Sequence, residues 1–184
     1  NASIYIHDNM VASITQDRMF NTMTADPSVR CRELTEQQLG EGIKMMVARE
    51  AGLCLGFVYN LSASSVIPVD SLRSASFTRQ YGLSSSVMDF LTCNYVAQPE
   101  DVRAGVRLIQ ENLGVYDYCL VKWSYQPIYE ENEDTVLNAW VKSFREKPYC
   151  RFRRNPSVFE YDPDLDYYDL GDDPIKALNY RIKN

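Results

Sequence analysis

The sequence predicts an α+β domain that is mostly helical in this segment. Three observations carry that expectation. A long apolar-patterned run opens on a capping box at Thr35 and ends on a glycine turn at Gly56. A second run, Glu133 to Glu146, carries one clear apolar stripe of Val136, Leu137, Trp140, Val141 and Phe144. Only one short stretch, Ala2 to Ile6, alternates small or polar residues with apolar ones as a strand does.

Taken in order, the expected strand at Ala2 to Ile6 ends in His-Asp, and Asn9 to Met23 follows with apolar residues at helical spacing. Asp26-Pro27-Ser28 is a turn. Thr35 is placed as the N-cap of the next helix, with Gln38 three residues on and Leu34 and Leu39 flanking as a hydrophobic staple. This helix should run to about Leu55. Leu39, Ile43, Met46, Val47, Leu53 and Cys54 cover a wide face, which predicts a buried central helix. Gly40, Gly42 and Gly52 each cost about 1 kcal/mol of helix propensity in an exposed interior, so close packing is expected around them. A plain core helix accounts for the apolar residues but not for Arg49-Glu50 in its middle.

Leu61 to Gly82 is polar, serine-rich and aperiodic, and reads as a long ordered loop. Helices are expected at Asp101 to Leu113, at Tyr116 to Tyr125, which Pro127 stops, and at Glu133 to Glu146, which Pro148 stops. Asn155 to Asp173 is acidic, aromatic and proline-bearing, a surface loop, and Pro174 opens a last helix. Neither an internal repeat nor a low-complexity segment is present. The whole is expected to form one partial domain, with residues 1–56 carrying the strand and first helices and 57–184 the remainder.

Composition excludes several classes. The 184 residues are 45% hydrophobic and 24% charged, enough for one core. A net charge of -6 lacks the basic face that a nucleic-acid binder needs to neutralise phosphates. Charges interrupt every apolar run within a dozen residues, so no membrane span is expected. The five scattered cysteines form no C-x-x-C pair and read as mostly buried free thiols. His7 is the single histidine, so no two-His or three-His metal site can be built from this chain alone. No initiator Met and no signal peptide are visible, and a start inside an expected strand reads as a piece of a longer chain.

Residues Arg49-Glu50-Ala51-Gly52-Leu53-Cys54-Leu55-Gly56-Phe57-Val58-Tyr59 resemble the metzincin zinc-protease signature H-E-x-x-H-x-x-G-x-x-H. In that signature two His one helical turn apart bind zinc, the Glu between them is the general base, and a third His follows the glycine. The resemblance extends collinearly through Val69 to Ser74, Ser86-Val87-Met88-Asp89-Phe90, Asn94 to Pro99, Tyr116-Asp117-Tyr118 and Leu170 to Pro174. It is to a family of large exported zinc-dependent metalloproteases common in Bacteroides-type bacteria. The implied fold is the C-terminal catalytic subdomain of a zincin, with an active-site helix, a Met-turn and added helices. Only 36 residues precede Gln37, so the N-terminal sheet is largely absent, and Asn1 to Ile6 is its expected lower-edge strand.

Carried over residue by residue, the resemblance puts Glu50 on the general base and Met88 on the Met-turn. It puts Arg49, Leu53 and Tyr59 on the first, second and third zinc ligands. Leu53 offers no donor, and the Arg49 guanidinium repels a cation. With no metal to activate water, Glu50 is a vestigial base and no cofactor is expected. Arg49 is expected to bond a carboxylate such as Asp89, and Tyr59 to pack over Met88. The first functional expectation is a catalytically inactive, exported relative that binds peptide or protein, or acts as a scaffold. The alternative is an active metallopeptidase or hydrolase with a non-standard site built from Glu50 and other carboxylates, Asp162 to Asp173 among them. The third is a structural module whose thirteen Tyr serve partner contact.

Overall fold

The computed structural model describes residues 2–91, 93–129, 132–153 and 167–183. Its helices are α1 (Asp8–Thr22), α2 (Glu36–Cys54), α3 (Ala75–Tyr81), α4 (Pro99–Arg103), α5 (Val115–Tyr125), α6 (Glu133–Arg145) and α7 (Pro174–Lys183). Short 3₁₀ turns occupy Pro27–Val29 and Val69–Arg73. Among the described residues there is no strand, and residues 2–6 are exposed and irregular. The expected edge strand is therefore not formed: alternation alone cannot make a strand when no neighbour supplies ladder hydrogen bonds.

Helix α2 begins and ends as its sequence dictates. The Thr35 hydroxyl accepts from the Gln38 N–H at 3.2 Å, and the Gln38 side chain accepts from the Thr35 N–H at 3.1 Å. At the other end Gly56 takes φ +84°. The Gly56 N–H then reaches the Leu53 carbonyl at 2.9 Å and the Phe57 N–H reaches Gly52 at 3.0 Å, which together satisfy two end carbonyls. Helix α1 crosses α2 where Gly42 leaves room for Ile14, and Arg18 pairs with Glu41 at 2.8 Å.

The expectation that α2 is the buried central helix is corrected. Its fully buried residues are Gly42, Arg49 and Gly52, while Leu39, Ile43, Met46, Val47 and Leu53 are half-covered and Cys54 is exposed. The core lies instead in the irregular segment between residues 61 and 110. Ile67, Val69, Leu72, Leu83, Leu91, Tyr95 and Val96 form one cluster, which Leu170 and Ala177 complete from the far end of the chain. A smaller cluster joins Ala97, Val106 and Leu108.

Buried backbone without helix or sheet still needs hydrogen-bond partners, and two amides supply them. Asn94 Nδ2 donates to the carbonyls of Leu72 at 2.7 Å and Arg107 at 3.1 Å, while its Oδ1 accepts from the Val96 and Ala97 N–H groups. Gln110 Oε1 accepts from the Leu83 and Ser84 N–H groups, and its Nε2 donates to Ser84 and Asn112. Each amide completes backbone pairing where no ladder exists.

Several boundaries differ from expectation. Leu61 to Gly82 holds a 3₁₀ turn and α3, whose N-cap Ser74 accepts from the Phe77 N–H at 3.3 Å. Neither element is long enough to carry a period. Of the helix expected over Asp101 to Leu113 only α4 forms; it stops before Gly105, which takes φ +90°. Helices α5, α6 and α7 stand as expected, within a residue or two at their ends. Residues 154–166 of the expected acidic loop lie outside the described residues; beyond them, Asp172 accepts from the Val69 N–H and Asp173 caps α7. The thiols are free, but only Cys93 and Cys119 are buried; Cys31 and Cys54 are exposed, and Cys150 is half-buried. No helix is long and apolar enough to cross a membrane among the described residues.

Candidate functional site

The last turns of α2 meet the Ser84–Phe90 turn at Gly52. A Cβ at that position would collide with Met88 Sδ, and Met88 itself is fully buried. Gly52 is thus retained against its propensity because the Met88 side chain passes through the space. Gly52→Ala is expected to cost about 1–3 kcal/mol through overpacking. A Gly52→Ala, Met88→Ala double-mutant cycle in urea should show the two losses to be less than additive, and full additivity would remove this contact from the account.

The turn is held from both sides. The Asn60 N–H donates to the Met88 carbonyl at 3.0 Å, and Asn60 Nδ2 donates to the Arg151 carbonyl at 2.8 Å. From α5, the Asp117 carboxylate accepts three hydrogen bonds: from Ser86 Oγ at 2.6 Å, the Val87 N–H at 2.9 Å and the Gly114 N–H at 2.8 Å. Burial pushes the Asp117 carboxyl above its ordinary range, against these three donors, which pull it down. Gly114 abuts the Ser85 backbone, where no Cβ fits.

Within the turn, Asp89 is almost fully buried. Its Oδ2 accepts from Ser84 Oγ at 2.9 Å and its Oδ1 from the Phe90 N–H at 2.7 Å. Burial raises its carboxyl to about 6, while the hydrogen bonds from Ser84 and the Phe90 amide act in the other direction.

Arg49 is only 8% exposed and points towards this turn. Its Nη1 donates to the Asp89 backbone carbonyl at 3.5 Å, and its guanidinium lies 4.9 Å above the Phe90 ring. The expected bond to the Asp89 carboxylate is therefore replaced by one to the carbonyl, because the carboxylate is already engaged inside its own turn. Asp17 of α1 lies within electrostatic reach of Arg49, which lowers its carboxyl, although burial prevails and the net shift is upward. Tyr59 meets Phe90 edge to face at 5.5 Å, so its ring packs on Phe90 where Met88 was expected. Positions 49 and 59 thus converge on one ring.

Glu50, one residue on from Arg49, is half-buried, and its carboxylate makes no hydrogen bond or ion pair among the described residues. Leu53 is half-buried and apolar. As a donor set for zinc these positions do not fit: a buried cation, a hydrocarbon, and a phenol whose ring is packed edge-on. No group of three His, Cys, Asp or Glu side chains is assembled for a metal among the described residues. The residues that sequence reading missed are Asn60, Gln110 and Asp117 as turn holders. An acidic residue three places after Gly114 was the available signal for the last of them.

The fold is a helical one in which α2 packs on the Ser84–Phe90 turn at Gly52. The family model described as Met-zincin matches residues 32–184, and the chain belongs to that family. Its fold is accordingly related to that of metallopeptidases. No curated protein and no solved structure matches the chain.

Proposed function

We propose that this chain is a catalytically inactive Met-zincin whose metal centre has been replaced by a buried cation–aromatic contact, and that it serves in peptide or protein binding or as a scaffold. The observation that supports the reading is the guanidinium of Arg49, buried and seated 4.9 Å over Phe90, at the position that the resemblance gives to the first ligand. A divalent ion placed beside it meets like charge at short range, in a place where water screens little. Glu50 then lacks the activated water that the family's general base deprotonates. Export follows from the family resemblance and belongs to the same proposal.

Elemental analysis after incubation with Zn²⁺ tests this, on the natural chain and on the triple variant Arg49→His, Leu53→His, Tyr59→His. The natural chain is expected to hold no stoichiometric zinc and to leave a mixed peptide substrate intact, while the variant gains close to one zinc per chain. One zinc per natural chain, or zinc-dependent cleavage by it, would overturn the proposal and return attention to Glu50 and other carboxylates.

A further inference from the structure

Helices α5 and α6, with the Gly56–Val58 turn, enclose a groove of about 540 Å³ lined by Phe57, Trp123, Val141 and Phe152, and also by two thiols, Cys119 and Cys150. These cysteines stand 31 positions apart in the chain. Two contacts bracket the second against the first. Lys147 Nζ lies 3.8 Å from Cys119 Sγ, and the Phe152 ring stacks on Tyr116, one helical turn before Cys119, at 5.8 Å and 7° between planes. Residue 150 is thereby laid over the turn of α5 that presents Cys119, and the Cys150 N–H bonds back to the Lys147 carbonyl at 3.4 Å.

We infer that Cys119 and Cys150 are a redox pair that closes to a disulfide, fixing the segment after α6 onto α5 along one wall of the apolar groove. Both side chains line the same groove, and both thiols are free. Burial, with the Cys119 side chain acting in the same direction, pushes the Cys150 thiol up to about 12, so the thiolate that exchange requires forms rarely and closure is slow. The oxidant is a small or protein disulfide. One protein thiolate attacks it, the oxidant's S–S bond breaks and its first thiol leaves; the second protein thiolate then displaces the other. Two thiols lose two protons and two electrons, which appear as two thiols of the oxidant. The remaining cysteines do not compete on geometry, since no other cysteine lines this groove.

The test is thiol mapping on the purified chain equilibrated in glutathione buffers from fully reduced to fully oxidised, acid-quenched, alkylated and read by peptide mass spectrometry. Oxidation should remove Cys119 and Cys150 together from the alkylatable set and yield a peptide linked 119 to 150. Cys93 should stay alkylatable after denaturation, and the exposed Cys31 and Cys54 should carry mixed glutathione disulfides, which shows that the oxidant was active. Cys119→Ser and Cys150→Ser should each abolish the linked peptide, and mapping of the natural chain stands whether or not these variants fold. Alkylation of both residues at every buffer ratio, or a link from either to a different cysteine, overturns the inference.

Discussion

Asp117→Ala is expected to lower the unfolding free energy by about 3–5 kcal/mol, the largest single loss from an uncharged replacement near the site. The carboxylate accepts from Ser86 Oγ and from the Val87 and Gly114 N–H groups. Removing it strands three donors at a junction where Gly114 leaves no room for rearrangement against the Ser85 backbone. Ser86→Ala removes one of the three donors and strands only the Met88 N–H, which donates to Ser86 Oγ at 3.0 Å, so it should cost less than Asp117→Ala. Urea midpoints at constant slope measure both. A loss below about 1 kcal/mol for Asp117→Ala would mean that water enters and satisfies the donors, and the docking of α5 on the turn would need another cause.

The second large effect is one of pH. The Asp89 carboxyl titrates near 6 in the fold against 3.8 for the unperturbed group, because burial opposes its charge. The folded chain therefore keeps this proton to higher pH than the unfolded chain does. The contribution is fully present below about pH 4 and is lost as pH rises through 6, since the native state binds more protons in that window. A shift of this size corresponds to about 3 kcal/mol. Asp17 and Asp117 are raised as well, so the informative quantity is the difference from Asp89→Asn, which leaves those two groups in place. From pH 4 to 7 the natural chain should lose about 3 kcal/mol more than Asp89→Asn does. Parallel stability curves for the two would assign the window to other groups.

What could be read in advance follows from which residues carry local signals. The Thr35 box and Gly56 fix both ends of α2 through bonds within five residues, so its limits were legible. The Glu133 to Glu146 stripe and Pro174 were legible for the same reason. Arg49 was marked as anomalous by its place in the signature and Asp89 was named as its partner, but the accepting atom is the Asp89 carbonyl, because the carboxylate is engaged by Ser84 and the Phe90 N–H, both within five residues of it. Burial of α2 was overestimated, since apolar spacing states which face seeks cover and says nothing about what is present to supply it. Asn94 and Gln110 gave no signal at all. A single amide in an aperiodic segment looks the same whether it faces solvent or replaces a ladder.

The placement of the core has a consequence for how this chain reaches its native state. Its closing contacts join Asn60 to Arg151 and Arg153, Ser64 to Asp169, and Val69 to Asp172, across 91 to 105 positions. Loop closure of that span precedes any gain from packing, so α2 can fluctuate into helix early while the interior waits for the chain's far end. A nascent chain still lacking residues 170–177 has no Leu170 or Ala177 to finish the cluster around Ile67. Its assembly therefore waits until residue 177 has been synthesised, with apolar surface open to other chains during the delay.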